Sequence, residues 1–222
     1  MFVLGIIPAR GGSKGVPFKN LFPLNGLPLI QYTITEALKS SLNDVIVTTD
    51  SDVIAAYANK SLGNFKAISR PPELAMDDTP MIDTIRHAVE CYERHQKIDA
   101  VMILQPTSPL RIAEDIDNAI EAFKAKDYDS LISVYEGLHP IKSYDQNLAP
   151  FCEQTTPYDK HIHKCYTRNG AIFITRRELL EQNKLTGERP AFLQMPKTRS
   201  IDIDDFEDLA IAEAILKRGV VN

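Results

Sequence analysis

Cysteine is scarce here and poorly placed for cross-linking. The three that occur, Cys91, Cys152 and Cys165, are odd in number, widely spaced and free of any C-x-x-C pattern. They indicate neither a disulfide framework nor a zinc site, so a reducing cytoplasmic setting is expected. No apolar run approaches the roughly 20 residues that span a bilayer. No charged leader or cleavage site precedes the first apolar stretch, so a soluble protein without a standard secretion signal is expected. Positive charge is short as well. The 222 residues carry a formal net charge of -5, which lacks the broad basic field of a nucleic-acid or membrane-surface binder. A small-molecule partner is expected instead. Repeats and low-complexity tracts are missing, and the length suits one large α/β domain or a domain plus a small appendage.

Two familiar phosphate-loop signatures are also absent. The dinucleotide fingerprint needs G-x-G-x-x-G, whereas the glycines here are Gly11, Gly12 and Gly15. Walker A needs G-K-[ST], and this chain reads Ser13-Lys14-Gly15. In their place stands the apolar run from Phe2 to Ile7, followed by a glycine-rich loop carrying Arg10, Lys14 and Lys19 and broken at Pro17. Glycine lets backbone amides approach an anion without a Cβ in the way, and successive exposed N–H groups form an anion-binding concavity. Three cations so close together repel unless something negative lies between them, and a triphosphate meets that need. A solvated basic surface loop is the plainer reading. It is weakened by the cluster's place at the carboxyl end of the first strand, where open α/β sheets bind ligands.

Downstream, strands and helices alternate. Asn25-Gly26 marks a turn, and Ile30, Ile34, Ala37 and Leu38 form a helical face after Pro28. Asp44 to Thr49 reads as a buried strand, and Asp50-Ser51-Asp52 can cap the helix of Val53, Ile54 and Tyr57 that closes near Gly63. Phe65 to Ser69 is the third strand, and Thr79 caps a helix with Pro80 in its first turn. Ala100 to Leu104 reads as a central parallel strand that delivers Gln105 to Arg111 to the same edge as the first loop. Ser130 to Tyr135 and Gly170 to Thr175 are further strands, and Leu209, Ala212 and Leu216 mark the last helix. The expected fold class is α/β, a mostly parallel sheet with helices on both faces. From 136 to 168 the alternation stops for longer than an ordinary connection. That segment is expected to be a lid or an excursion onto a second copy of the chain.

Ser200-Ile201-Asp202-Ile203-Asp204 carries the second chemical signal. If extended, it turns both isoleucines to the core and both aspartates to the other side, about 7 Å apart. Such a pair repels unless a cation intervenes, and Mg²⁺ suits oxygen ligands of this kind. Capping of the final helix explains Asp204 or Asp205 as well, but explains Asp202 poorly. A cationic loop with an acidic pair suggests nucleotidyl transfer, in which the protein positions and neutralises charge.

Five stretches in order carry a resemblance. They are Ile7 to Gly15 with Lys19-Asn20, Arg70 to Ala75, Leu104 to Arg111, Asn169 to Phe173, and Ser200 to Asp204. Together they resemble the CMP-sialic acid synthetases, or acylneuraminate cytidylyltransferases, and their legionaminic acid relatives. The resemblance implies a Rossmann-like fold of the nucleotide-diphospho-sugar transferase type over residues 1–222, with an inserted dimerisation subdomain at 136–168. It implies that CTP and a nine-carbon 2-keto sugar acid react, the anomeric hydroxyl attacking the α-phosphate to release pyrophosphate. By this likeness Arg10, Ser13, Lys14 and Lys19 hold the triphosphate, and Ala9, Asn20 and Arg70 frame the cytidine, with Thr79 near the cytosine edge. Asp202 and Asp204 bind Mg²⁺ and, with Arg10, Lys14 and Lys19, form the catalytic set. Gln105, Lys142 and Asn169 lie on the sugar side, Lys142 reaching the neighbouring site of a homodimer. A nucleotidyltransferase for another sugar, such as a 3-deoxy-octulosonic acid or a sugar 1-phosphate, is the second reading, against which the Gln105 to Arg111 stretch speaks; a nucleotide-binding protein without turnover is the third, against which the acidic pair argues.

Overall fold

The protein is described by a computed structural model that covers residues 1–62, 67–137 and 165–219. In chain order the elements are β1 (Val3–Pro8), β2 (Pro23–Leu24), β3 (Leu27–Pro28), α1 (Leu29–Lys39), β4 (Asp44–Thr49), α2 (Asp52–Leu62), β5 (Ile68–Ser69) and α3 (Met81–Tyr92). They continue with β6 (Ala100–Ile103), α4 (Ala113–Lys124), β7 (Ser130–Gly137), β8 (Cys165–Arg176), α5 (Arg177–Glu181), β9 (Pro190–Gln194) and α6 (Phe206–Lys217).

Seven strands form one sheet in the order β5-β4-β1-β6-β8-β7-β9. β8 runs antiparallel to β6 and β7, while the other neighbours are parallel. β1 shows why the sheet is covered twice. Val3 and Ile7 join a core cluster with α1, α2 and α4, while Leu4 and Ile6 join another with α3 and α5. Successive side chains leave opposite faces of a strand, so a run that is apolar throughout needs helices on both sides.

The chain steps from β1 outward through β4 to β5, then crosses back to β6 on the other side of β1. This reversal opens a crevice at the carboxyl ends of β1 and β6, the usual ligand position in such sheets.

The Asn25-Gly26 turn joins β2 to β3 with φ values of 47° and 84°, as a two-residue hairpin requires. Several local expectations change. Ala100–Ile103 is parallel to β1 on one side but antiparallel to β8 on the other. Thr79 does not cap α3; its hydroxyl donates to the Glu73 carbonyl at 2.9 Å, and Pro80 takes the cap position. Ser200 to Asp204 joins no strand, although Ile203 is fully buried as the alternation requires. β8 begins at Cys165, and β9 is an additional edge strand beside β7. Of the expected 136–168 excursion, 138–164, including Lys142, lies outside the described residues, as do Gly63 and Phe65. No helix among the described residues is long and apolar enough to cross a membrane.

Candidate active site

The loop after β1 is held at both ends. The Gly11 N–H donates to Asp50 Oδ1 at 3.0 Å, and the same carboxylate lies 3.6 Å from Arg70. Asp50 thus reaches back across the edge of the sheet, while Ser51 receives the first-turn N–H of Ile54 at 3.4 Å and serves α2. Further on, Phe18 takes φ 52° and starts a 3-10 turn over Lys19–Leu21. Asn20, nearly buried, donates from Nδ2 to the Arg10 carbonyl at 2.9 Å and closes the loop on itself. Arg10 and Lys14 both face one carboxylate, Asp77, at 2.6 and 2.7 Å. The Lys14 and Arg10 hydrogen bonds hold the Asp77 carboxyl below its ordinary range.

A small apolar cluster fastens this loop to the acidic segment. Val16 from the loop, Leu24 from β2, Leu110, Ile203 and Leu209 of α6 are buried together. Burying one such side chain stabilises by roughly 1.5–3 kcal/mol. Contact is also close at the backbone, since a Cβ on Gly15 would drive into the Asp204 carbonyl oxygen. Lys19 Nζ donates to the Ile203 carbonyl at 2.7 Å and lies 3.5 Å from Asp204 Oδ1. The Ile203 N–H in turn donates to the Thr107 carbonyl at 2.8 Å, tying the segment to the turn after β6. Asp205 caps α6, accepting from the N–H groups of Glu207 and Asp208, so neither Asp202 nor Asp204 serves as the cap; both residues keep access to solvent, Asp202 with its carboxylate turned beside Gly170. The Asp202 carboxyl is raised above its ordinary value, first because protein walls displace water around it, then by the charges of Asp204 and Asp208; Thr107 and Lys19 pull the other way.

The third side of the site comes from β6 and β8. Arg111 is fully buried and donates to the carbonyls of Ala171 at 2.7 Å and Gln105 at 3.3 Å, and to Thr33 Oγ1 at 2.7 Å. Burial lowers its pKa to about 10, against the pull of Asp115 and Glu36. This clamp sets Gln105 beside Gly170, where a Cβ would lie 2.9 Å from Gln105 Oε1 and 3.2 Å from Asp202 Oδ2. Gln105, Gly170 and Asp202 therefore meet at one point.

The resulting cleft of about 310 Å³ is lined by Arg10, Ser13, Lys19, Asn20, Arg70, Thr79 and Gln105 among the expected residues. Lys14 reaches it through Asp77, which lines it too. Asp202 and Asp204 stand beside it at the Lys19 end. Ala9 is buried in the core and its N–H donates to the Thr48 carbonyl at 3.0 Å, so of its backbone the carbonyl is what remains for a ligand. Asn169 is turned inward. Its Oδ1 accepts from Ser133 Oγ at 2.5 Å and the Ala171 N–H at 3.1 Å, and its Nδ2 donates to Ser200 Oγ at 2.9 Å. A buried amide so fully used braces the bulge of β8 that lies opposite Ile132 to Val134. The sequence offers Asp50 only as a helix cap and gives Asp77, Thr107 and Arg111 no site role. The signal for Asp50 was its place at the carboxyl end of the strand beside β1.

Comparison with known proteins follows the same lines. The family model described as Cytidylyltransferase matches residues 4–215. An Escherichia coli protein named N-acylneuraminate cytidylyltransferase is 34% identical over 97% of this chain and 52% of its own length. The chain spans about half the length of the curated N-acylneuraminate cytidylyltransferases it matches. A Legionella pneumophila protein named CMP-N,N'-diacetyllegionaminic acid synthase is 34% identical over 98% of this chain and 97% of its own length. Among solved structures, a CMP:2-keto-3-deoxy-manno-octonic acid synthetase complexed with CTP superposes with a TM-score of 0.75, covering 99% of this chain and 100% of that one. At 17% identity it speaks for the fold alone.

Proposed function

The chain belongs to the cytidylyltransferase family, and on that premise we propose that it transfers the cytidylyl group of CTP to a nine-carbon 2-keto sugar acid of the N-acylneuraminate type. One observation carries this reading: the cations after β1 and the acidic pair before α6 meet where Lys19 bridges the Ile203 carbonyl and Asp204, the latter 185 residues away in the chain. A triphosphate laid along Arg10, Ser13, Lys14 and Lys19 has its charge balanced from one side. Asn20, Arg70 and the Ala9 backbone then frame the cytidine, with Thr79 near the base. Gln105, set by Arg111, faces the sugar acid beside Gly170.

The donor set suits Mg²⁺. Two adjacent carboxylates, one raised by poor solvation and by the other's charge, favour a hard cation between them. Two carboxylate ligands would leave the remaining positions of an octahedral ion to phosphate oxygens and water. Asp202 and Asp204 would hold the ion, and when bound it would neutralise charge on the phosphates as pyrophosphate departs. Lys19 keeps Asp204 in place, and Thr107 orients Asp202. A cytoplasmic homodimer in which 136–168 carries Lys142 to the partner's site belongs to the same proposal.

A diacetyllegionaminate-type acid is the second reading, favoured by the Legionella relative that matches over nearly its whole length. Pyrophosphate release from CTP and Mg²⁺ across N-acetylneuraminate, N,N'-diacetyllegionaminate, pseudaminate and 3-deoxy-octulosonate decides between them. Turnover is expected with one of the first two and abolished in Asp202→Ala. Silence with all four acids would sink the proposal.

A further inference from the structure

Asp77 has no part in the transfer described above, yet it holds the two most exposed cations of the loop. Its Oδ1 lies 2.6 Å from Arg10 Nη1 and its Oδ2 lies 2.7 Å from Lys14 Nζ, so each carboxylate oxygen is spent on one cation. The partners are 67 residues apart at Arg10, so the contact is not local. Asp77 also lines the same cleft as Arg10, Gly12 and Ser13. Its backbone belongs to a turn anchored elsewhere: the Thr79 N–H donates to the Met76 carbonyl at 3.3 Å, and Thr79 Oγ1 to the Glu73 carbonyl at 2.9 Å. The side chain can therefore leave its cations without unfolding the turn.

We propose that Asp77 is an internal competitor for the phosphate subsite, a carboxylate that occupies Arg10 and Lys14 until a polyphosphate displaces it and that loosens the hold on departing pyrophosphate. The proposal rests on the reading of the β1 loop as a triphosphate site. Three physical points support it. A carboxylate and a phosphate offer the same chemistry to Arg and Lys, charged oxygen acceptors. The Asp77 side chain is 45% exposed and that of Lys14 80%, and exposed pairs are weak enough to exchange. Finally, pyrophosphate carries more charge than one carboxylate, so it wins the cations, but it does so against repulsion from the displaced Asp77. Arg10 and Lys14 stay paired between turnovers, and the same carboxylate re-enters as product leaves.

A rival role, prearranging the loop for its ligand, predicts the opposite sign. Binding of inorganic pyrophosphate with Mg²⁺ to the full chain, measured by calorimetry for wild type, Asp77→Asn and Asp77→Glu, separates the two. Asp77→Asn is expected to bind about three- to tenfold more tightly, with pyrophosphate becoming a stronger product inhibitor by a matching factor. Asp77→Glu, which keeps the charge, is expected to stay near wild type. Unchanged melting of Asp77→Asn verifies that the fold is intact. If wild type binds pyrophosphate and Asp77→Asn binds it no more tightly, the competitor role fails alone. If wild type binds no pyrophosphate, the phosphate assignment of the loop fails and takes this proposal with it.

Discussion

Gly170 sits inside β8 at φ 73°, and its missing side chain is where Gln105 and Asp202 come together. Any L residue there bears the left-handed cost of about 1–2 kcal/mol, and its Cβ would press on Gln105 Oε1 at 2.9 Å. Gly170→Ala is expected to lose about that much stability by denaturant unfolding and to lower kcat more than it raises KM for CTP, since the cations proposed to hold the triphosphate lie elsewhere. An alanine variant with wild-type kcat would show that this approach does not matter. Asp202 makes a second residue-scale case, through pH. Its folded carboxyl titrates above the ordinary value of 3.8, so the folded state favours the protonated form and the ionised form destabilises. That penalty is absent below the unfolded pKa, grows as pH rises through the folded one, and is full at neutrality. Asp202→Asn without metal is therefore expected to melt above wild type at pH 7, the gap narrowing as pH falls toward 4. A gap that ignores pH, or has the opposite sign, would remove Asp202's environment from the account.

At the scale of elements, β9 shows how a strand can be set from far away. It begins at Pro190, which cannot donate to the ladder and therefore suits an edge strand. Its entry is fixed by Asp129, whose carboxylate accepts the N–H groups of Glu188 at 3.0 Å and Arg189, 60 residues distant, at 2.9 Å. Gly187 belongs to the same turn, because a Cβ there would collide with that carboxylate. Asp129→Ala is expected to cost about 1–3 kcal/mol by leaving these donors unpaired. Turnover below the melting transition should persist, since the turn lies at the opposite edge of the sheet from the cleft. Loss of activity without loss of stability would contradict this. The same contrast explains what the sequence reveals. β1 and β6 are legible as apolar runs and β4 as a β-branched one, and α1 and α3 because their apolar faces recur with helical spacing. β9, the long start of β8 and the antiparallel setting of β6 depend on partners remote in sequence. In the site, the loop cations and the acidic pair are legible as chemical types that need one another. Asp50 looks like a helix cap until the fold turns it toward Gly11 and Arg70, and Asn169 looks available until Ser133 and Ser200 take it inward.

The whole molecule bears a net charge of -5, which by itself repels CTP and a sugar acid. Binding must therefore come from where the charges are, not from their sum. The strand reversal around β1 gathers Arg10, Lys14, Lys19 and Arg70 at one edge of the sheet, each beside one carboxylate of Asp77, Asp204 or Asp50, and the net charge of the whole chain acts on top of that local field. These two contributions respond to salt with opposite signs. Screening the diffuse repulsion would lower KM for CTP, and screening the local attraction would raise it. The Debye length is about 10 Å at 0.1 M and about 3 Å at 1 M, so the distant acidic groups are largely silenced already at modest ionic strength. What remains to be screened is the attraction at close range. KM for CTP is thus expected to rise several-fold between about 0.05 and 0.5 M NaCl, with kcat changing much less. The rise should be shallower in Lys14→Gln, which removes the most exposed of the loop cations. A KM that falls with salt would mean that the diffuse negative field governs encounter and that the cluster after β1 does not face the triphosphate.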